Sequence, residues 1–272
     1  MSDLVTITKV DGVADVRLNR PDKYNALSPE MFEAIVAAGE SLLDAKDVRV
    51  VVLSGNGRGF CAGLDFSSFQ GMAGGGQRAP RASAQTLFER PSDQPENRAQ
   101  RPAMVWKRMP VPVIAAVHGV AYGGGCQIAL GADIRIASPD AKISVMEIKW
   151  GLIPDMSLTQ TLRDLVPLDV AKELTFSGRV LSGTEAQALG LVTRVADDPL
   201  QAALELAREI ATKSPDAIRA AKRLFEVSWR GDPATGLNLE QSLQGSLIGS
   251  ANQIEAVKAN FEKRPPAFKD PS

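Results

Sequence analysis

The sequence has a single histidine, His118, and only two cysteines, Cys61 and Cys126, in 272 residues. A Ser-His-Asp hydrolase or a histidine-ligated metal site would have to be built around His118 alone, and neither a G-x-S-x-G elbow nor an H-E-x-x-H helix occurs. A lone histidine after a buried strand reads instead as a hydrogen-bonded structural group. Two cysteines cannot make a disulfide framework, and both lie beside small residues in apolar stretches, where they serve as small buried side chains. No apolar run reaches the roughly 18 residues that a membrane span needs. With 31 basic against 32 acidic residues the net charge is −1, which provides no overall field for nucleic acid. The start of the chain lacks a basic region followed by an apolar one, so a cytoplasmic protein is expected.

What is present is the composition of a globular protein, 44% hydrophobic and 23% charged, long enough for one large core with an appended subdomain. Alternating runs over Leu4–Val10 and Val13–Leu18 flank Asp11-Gly12, which predicts a β-hairpin. Ser28-Pro29-Glu30 combines a capping residue, a first-turn proline and an acid before a helical apolar pattern. Val48 to Leu53 is a β-branched run suited to a strand covered on both faces. Between Phe66 and Gln100 the sequence turns rich in Gly, Pro, Ser and Gln, which predicts a mobile loop or weak helix. Strands are predicted again at 113–117, 133–137 and 143–148. From Pro199 onward the pattern is helical, at about 199–213, 215–229, 235–249 and 251–263. An α/β core over 1–198 and a helical subdomain over 199–272 follow from that change.

The segment with most chemical content is Val120-Ala-Tyr-Gly-Gly-Gly-Cys-Gln127. A glycine triplet between an apolar strand and a packed helix allows close backbone approach, and free N–H groups with the helix dipole favour negative charge. A tight turn packed under a helix is the plain alternative. No Lys-Ser/Thr follows the triplet and Ile128 stands where a dinucleotide fingerprint has its third glycine, so phosphoryl and hydride transfer lose support. Enolate chemistry beside a thioester remains: two backbone N–H groups hold an oxyanion while a carboxylate moves a proton at carbon.

Phe60-Cys-Ala-Gly-Leu-Asp65, followed by His118-Gly-Val-Ala-Tyr-Gly-Gly-Gly-Cys126, resembles the crotonase superfamily of enoyl-CoA hydratases and isomerases. The resemblance extends through Ala132–Ala137, Gly151-Leu-Ile-Pro154, Phe176-Ser-Gly178, Glu185–Val192 and Phe261-Glu-Lys-Arg264, leaving out 66 to about 105. It implies a spiral of β-β-α units with a C-terminal helical part that mediates trimers, often stacked as hexamers. The oxyanion hole would be the N–H groups of Leu64 and Gly124, flanked by Gly63, Asp65 and Gly123. The backbone around Ala62 would receive the adenine of coenzyme A, and Lys263 would approach its phosphates. Coenzyme A would arrive as part of an acyl-CoA thioester substrate, with no separate cofactor.

The resemblance also locates the acid–base positions, at Gln127 and Glu147. Gln127 can orient a water or a carbonyl, but an amide cannot exchange protons near neutral pH. Glu147 lies among Met146, Ile148 and Trp150, where desolvation would raise its pKa. Asp155 follows Ile153-Pro154 where many hydratases of this kind carry glycine, and an acid there resembles dienoyl-CoA isomerases. Those isomerases have an aspartate at the position of Gln127, so the match is partial. Asp155 is equally placed to cap a helix over Met156–Leu162. The resulting expectation is a double-bond shift with Glu147 and Asp155 sharing the proton transfer. The alternatives are a 2-enoyl-CoA hydratase using Glu147 and a Gln127-held water, and a non-catalytic acyl-CoA-binding protein.

Overall fold

A computed structural model describes residues 3–65, 88–90 and 94–271. The predicted mobile segment lies mostly outside these residues. Among the described residues, the main sheet has the order β1-β2-β3-β4-β6-β8: β1 (Val5–Val10), β2 (Val13–Leu18), β3 (Val50–Gly55), β4 (Val113–Val117), β6 (Ile134–Ala137) and β8 (Arg194–Val195). Only the β1–β2 pair is antiparallel. The hairpin turns at Asp11 and Gly12 with φ of 49° and 80°, the left-handed geometry that a two-residue turn requires.

Strands β3 and β4 are buried on both faces, as their unbroken apolar runs predict. One face is covered by α1 (Pro29–Leu43), which starts where Ser28 Oγ accepts the Met31 N–H and buries Met31, Ile35 and Leu42. Truncating any of these to alanine costs about 2–5 kcal/mol by the usual cavity rule. The other face receives α7 (Pro199–Ala211), whose Ala203, Ala207 and Ala211 recur every four residues and pack on Val13, Val50, Val52, Ile114, Ala116 and Ile136. Small side chains at that spacing let the helix lie close to the strands. The first tail helix is thus a layer of the core.

The remaining tail helices are α8 (Pro215–Ser228), α9 (Pro233–Leu247) and α10 (Ala251–Phe261). Lys222 ties α8 to the core, its Nζ lying 2.7 Å from Asp133 Oδ2 and 3.0 Å from the Val111 carbonyl. Phe225, Trp229, Leu237, Ile248 and Phe261 remain exposed on this part. No helix among the described residues is long and apolar enough to cross a membrane.

Two departures from the sequence-based expectation matter for the site. After β4 the chain leaves the main sheet at Gly119 and forms β5 (Val120–Tyr122), which pairs with β7 (Lys142–Ser144) in a separate two-stranded sheet. Helix α3 (Gly124–Leu130) follows directly and is buried throughout. The strand predicted over 143–148 stops at Ser144, and Glu147–Trp150 forms a 3-10 turn closed by Gly151 at φ 69°. Ile143 is already paired on its far side with Leu181, and Leu152 N–H turns back to the Glu147 carbonyl, so the chain cannot run on as a strand. A short apolar run does not distinguish these outcomes by period alone.

Candidate active site

Two loops meet through main-chain pairing. Phe60 and Cys61 donate to the carbonyls of His118 and Val120 at 3.0 and 2.9 Å, and Tyr122 N–H returns to Cys61 at 3.0 Å. This zips the first motif to β5 and sets Gly63 against the triplet. Gly63 has φ +82°, and a β-carbon there would lie 2.6 Å from the Tyr122 carbonyl oxygen and 3.6 Å from Gly124 N, so no side chain fits.

Leu27 pins both neighbours of Leu64, donating to Gly63 O at 2.8 Å and accepting from Asp65 N–H at 3.1 Å. The Leu64 N–H itself has no acceptor among the described residues. Gly124 N–H is likewise unused, as the first turn of a helix leaves it, while Gly123 N–H donates to Ser144 O at 2.9 Å. Gly123 holds φ 50° and ψ −118°, backbone that a β-carbon disfavours and that swings the chain from β5 into α3. Two free N–H groups on adjoining, fixed backbone are what an oxyanion hole requires.

The side-chain half is organised by Gln127, fully buried on α3. Its Oε1 accepts the Met156 N–H at 2.9 Å and its Nε2 donates to Glu147 Oε1 at 2.6 Å. The amide thus engages protein at both ends and ties Glu147 to the backbone of Met156. Glu147, at the start of the 3-10 turn, keeps Oε2 buried without a hydrogen-bond partner. Burial pushes its carboxyl above the usual range, opposed by its own backbone N–H and by the Gln127 hydrogen bond and assisted by the charge of Asp155.

Asp155 lies in the loop before α4 (Leu158–Thr161) and does not cap it; Ser157 occupies the cap position. The residue is exposed, yet protein packed beside its carboxylate raises its pKa by desolvation. Its charge reaches Glu147, so the two acids share one region.

Other sequence candidates take different places. Ala62 N–H is spent on the Tyr24 carbonyl at 2.9 Å. Asp65 Oδ2 accepts from Arg20 at 2.5 Å. Lys263 stands exposed just beyond α10, with φ 52° and no ion pair among the described residues. His118 Nε2 lies 3.0 Å from Gly57 O, a structural contact. Burial raises both cysteines to about 12, which removes them as nucleophiles. A cavity of about 400 Å³ lined by Asp133, Lys222 and Phe225 contains none of the candidate residues.

Asn25 and Met156 carry no motif, and the sequence reading passed over them. Asn25 is fully buried, and its Nδ2 donates to the carbonyls of Asn56, Gly59 and Phe60 at 3.0, 2.9 and 3.1 Å, holding the loop that leads to Leu64. An asparagine followed by Ala-Leu is no signal of this. Met156 contributes its N–H, which no side-chain pattern reveals, while its buried side chain packs against Gly124.

Comparison with known proteins agrees with this geometry. A profile described as enoyl-CoA hydratase/isomerase matches residues 8–271. The mitochondrial methylglutaconyl-CoA hydratase of Mus musculus is 34% identical over 266 residues, covering 95% of this chain and 80% of the relative. The human mitochondrial enoyl-CoA hydratase domain-containing protein 2 is 32% identical over 264 residues, covering 94% of this chain and 85% of that protein. The crystal structure of an enoyl-CoA hydratase from Bacillus anthracis superposes with a TM-score of 0.86 at 30% identity, covering 98% of this chain and 100% of its own. With its mainly parallel sheet, its paired glycine loops and matches along nearly its whole length, the chain belongs to the enoyl-CoA hydratase/isomerase family.

Proposed function

We propose that the protein shifts a carbon–carbon double bond in an acyl-CoA thioester through an enolate, with Glu147 and Asp155 as the two proton carriers. The observation that carries this reading is the placement of Gln127: its carbonyl accepts from Met156 N–H and its amide nitrogen donates to Glu147, and since an amide exchanges no proton near neutral pH the second proton carrier has to be another group. Asp155 is then the second ionisable group near Glu147.

In the forward direction Glu147 carboxylate takes a proton from the saturated carbon α to the thioester carbonyl. The electron pair moves into the π system and charge collects on the thioester oxygen, where Leu64 and Gly124 N–H groups receive it. Asp155, protonated, gives its proton to the far carbon as the double bond moves, and solvent later restores both acids. The product is an isomer, with no water added. The backbone around Ala62 would receive the adenine, Lys263 would approach the phosphates of coenzyme A, and α8–α10 with their exposed apolar side chains would assemble a trimer or hexamer.

Hydration of a 2-enoyl-CoA with Glu147 alone is the second reading, and the similarity to a methylglutaconyl-CoA hydratase and to an enoyl-CoA hydratase favours it. Product analysis of the pure protein with 2-enoyl-, 3-enoyl- and 3,5-dienoyl-CoA separates them. Isomerised product whose formation drops about 10²-fold in Asp155→Asn supports the first reading. A 3-hydroxyacyl-CoA made equally well by Asp155→Asn replaces it with the second. Binding without turnover across the panel leaves a non-catalytic acyl-CoA-binding protein.

A further inference from the structure

Gln127 sits where it can do more than occupy the space of an acid. The Met156 N–H can only donate, so the group it meets must be the carbonyl end of the Gln127 side chain; the other end is then the NH2, which can only donate to Glu147. That assignment follows from the backbone and leaves no second orientation. Glu147 Oε1, receiving this bond, is the oxygen without a proton, and the proton that Glu147 gains and loses has Oε2 as its place, the buried atom that no protein group engages.

We infer that Gln127 is a positioning residue that selects Oε2 of Glu147 as the proton-carrying atom and couples its placement to the peptide that bears Asp155. The inference rests on the reading of Glu147 as the acid–base group. The chain Met156 N–H, Gln127, Glu147 joins α3, the 3-10 turn and the loop before α4, because Met156 N is the peptide nitrogen that follows the Asp155 carbonyl. An amide performs this task at every pH, since it donates regardless of protonation. A glutamate at 127 would stand 2.6 Å from Glu147, and the two could not both ionise there. Gly123 completes the arrangement on the other side: a β-carbon there would come 3.3 Å from Glu147 Oε1, so glycine leaves that oxygen room beside its donor. The other titratable groups that bear on Glu147 are Asp155, which opposes its ionisation, and Cys126 on α3, which remains a neutral thiol.

The test reads Glu147 directly in ligand-free protein. The C=O stretch of its protonated carboxyl is obtained by infrared titration after subtraction of the Glu147→Gln protein. In Gln127→Met the donor is gone, and the titration midpoint is expected to rise by about one unit, the shift that loss of one charge-assisted hydrogen bond produces. Turnover on whichever panel substrate reacts should fall about tenfold in kcat, with KM within about twofold. Gln127→Glu should titrate in two steps, as a coupled carboxyl pair does. If Gln127→Met does not fold, Gln127→Asn takes its place, one methylene too short to span both partners, with the same rise expected. An unmoved midpoint, even with lowered thermal stability, assigns Gln127 a merely structural role and overturns the proposal. A raised midpoint without turnover on any thioester keeps the positioning role and removes the isomerase reading. Isomerase turnover with an unmoved midpoint removes the positioning role alone.

Discussion

Leu64 and Gly124 present backbone N–H groups on chain pinned by main-chain pairing, whereas Glu147 and Asp155 stand on a 3-10 turn and the loop after it, where burial opposes their charge. The first half needs no particular side chain at the reacting point. It needs glycine at 63 and 123 and two strands in register, and Asn25 locks the loop from behind. The second half depends on side-chain chemistry and tolerates backbone irregularity. The contrast means that the side chains of the second half can differ without disturbing the strand pairing of the first, as Gln127 does on the fully buried helix α3.

The comparison is broken most strongly by removing the charge of Glu147. Glu147→Gln is expected to lower turnover about 10³-fold while the fold and thioester binding persist, because the amide keeps the shape but not the proton. Kinetics beside a circular-dichroism melt check it, and retained turnover would move the proton transfer to another group. The backbone half is attacked by Gly63→Ala. A β-carbon 2.6 Å from the Tyr122 carbonyl at φ +82° must push the two loops apart, with an expected loss of about 10²-fold in kcat/KM and about 2–3 kcal/mol in stability. Denaturant unfolding and initial rates measure the two effects separately; a variant with wild-type kinetics would show that the contact of these loops is not what activity requires.

The smallest expected effect is on stability against pH. Burial raises the folded-state pKa of Glu147 and Asp155 above the ordinary values of 4.5 and 3.8, so in the window above those values the folded protein holds protons that the unfolded chain has lost. Stability from these groups is therefore greatest at acid pH, falls as pH rises through the folded-state values, and levels off above them. Glu147 carries most of this, since the exposed Asp155 is screened by solvent. Glu147→Gln should flatten the slope and be more stable than the wild type at neutral pH. Melting temperatures of both proteins across that range decide it, and parallel curves would contradict the burial of Glu147.

Much of the fold was readable because its signals are local. Asp11-Gly12 forces a hairpin, Ser28-Pro29 starts a helix, and the run from Val50 to Leu53 has no polar position that could face water. The helices of the tail begin and end within a few residues of their predicted bounds. The strand β5 and the 3-10 turn at Glu147 were not readable, since both are three- or four-residue segments whose conformation is set by partners distant in sequence: Cys61 for the first, Leu181 for the chain entering the second.

The sequence by itself narrowed the class of chemistry through its composition and the family resemblance of its motifs. One histidine, no phosphate loop and a glycine triplet disfavour triad, histidine-metal and nucleotide chemistry, and the resemblance carried by Phe60–Asp65 and His118–Cys126 supplies the expectation of oxyanion stabilisation with carboxylates. Only the tertiary structure decided what Gln127 does. A hydrogen bond has a direction, and that direction came from Met156 N–H, a backbone group that carries no trace in the side-chain pattern and that the fold alone brings within 2.9 Å of the amide.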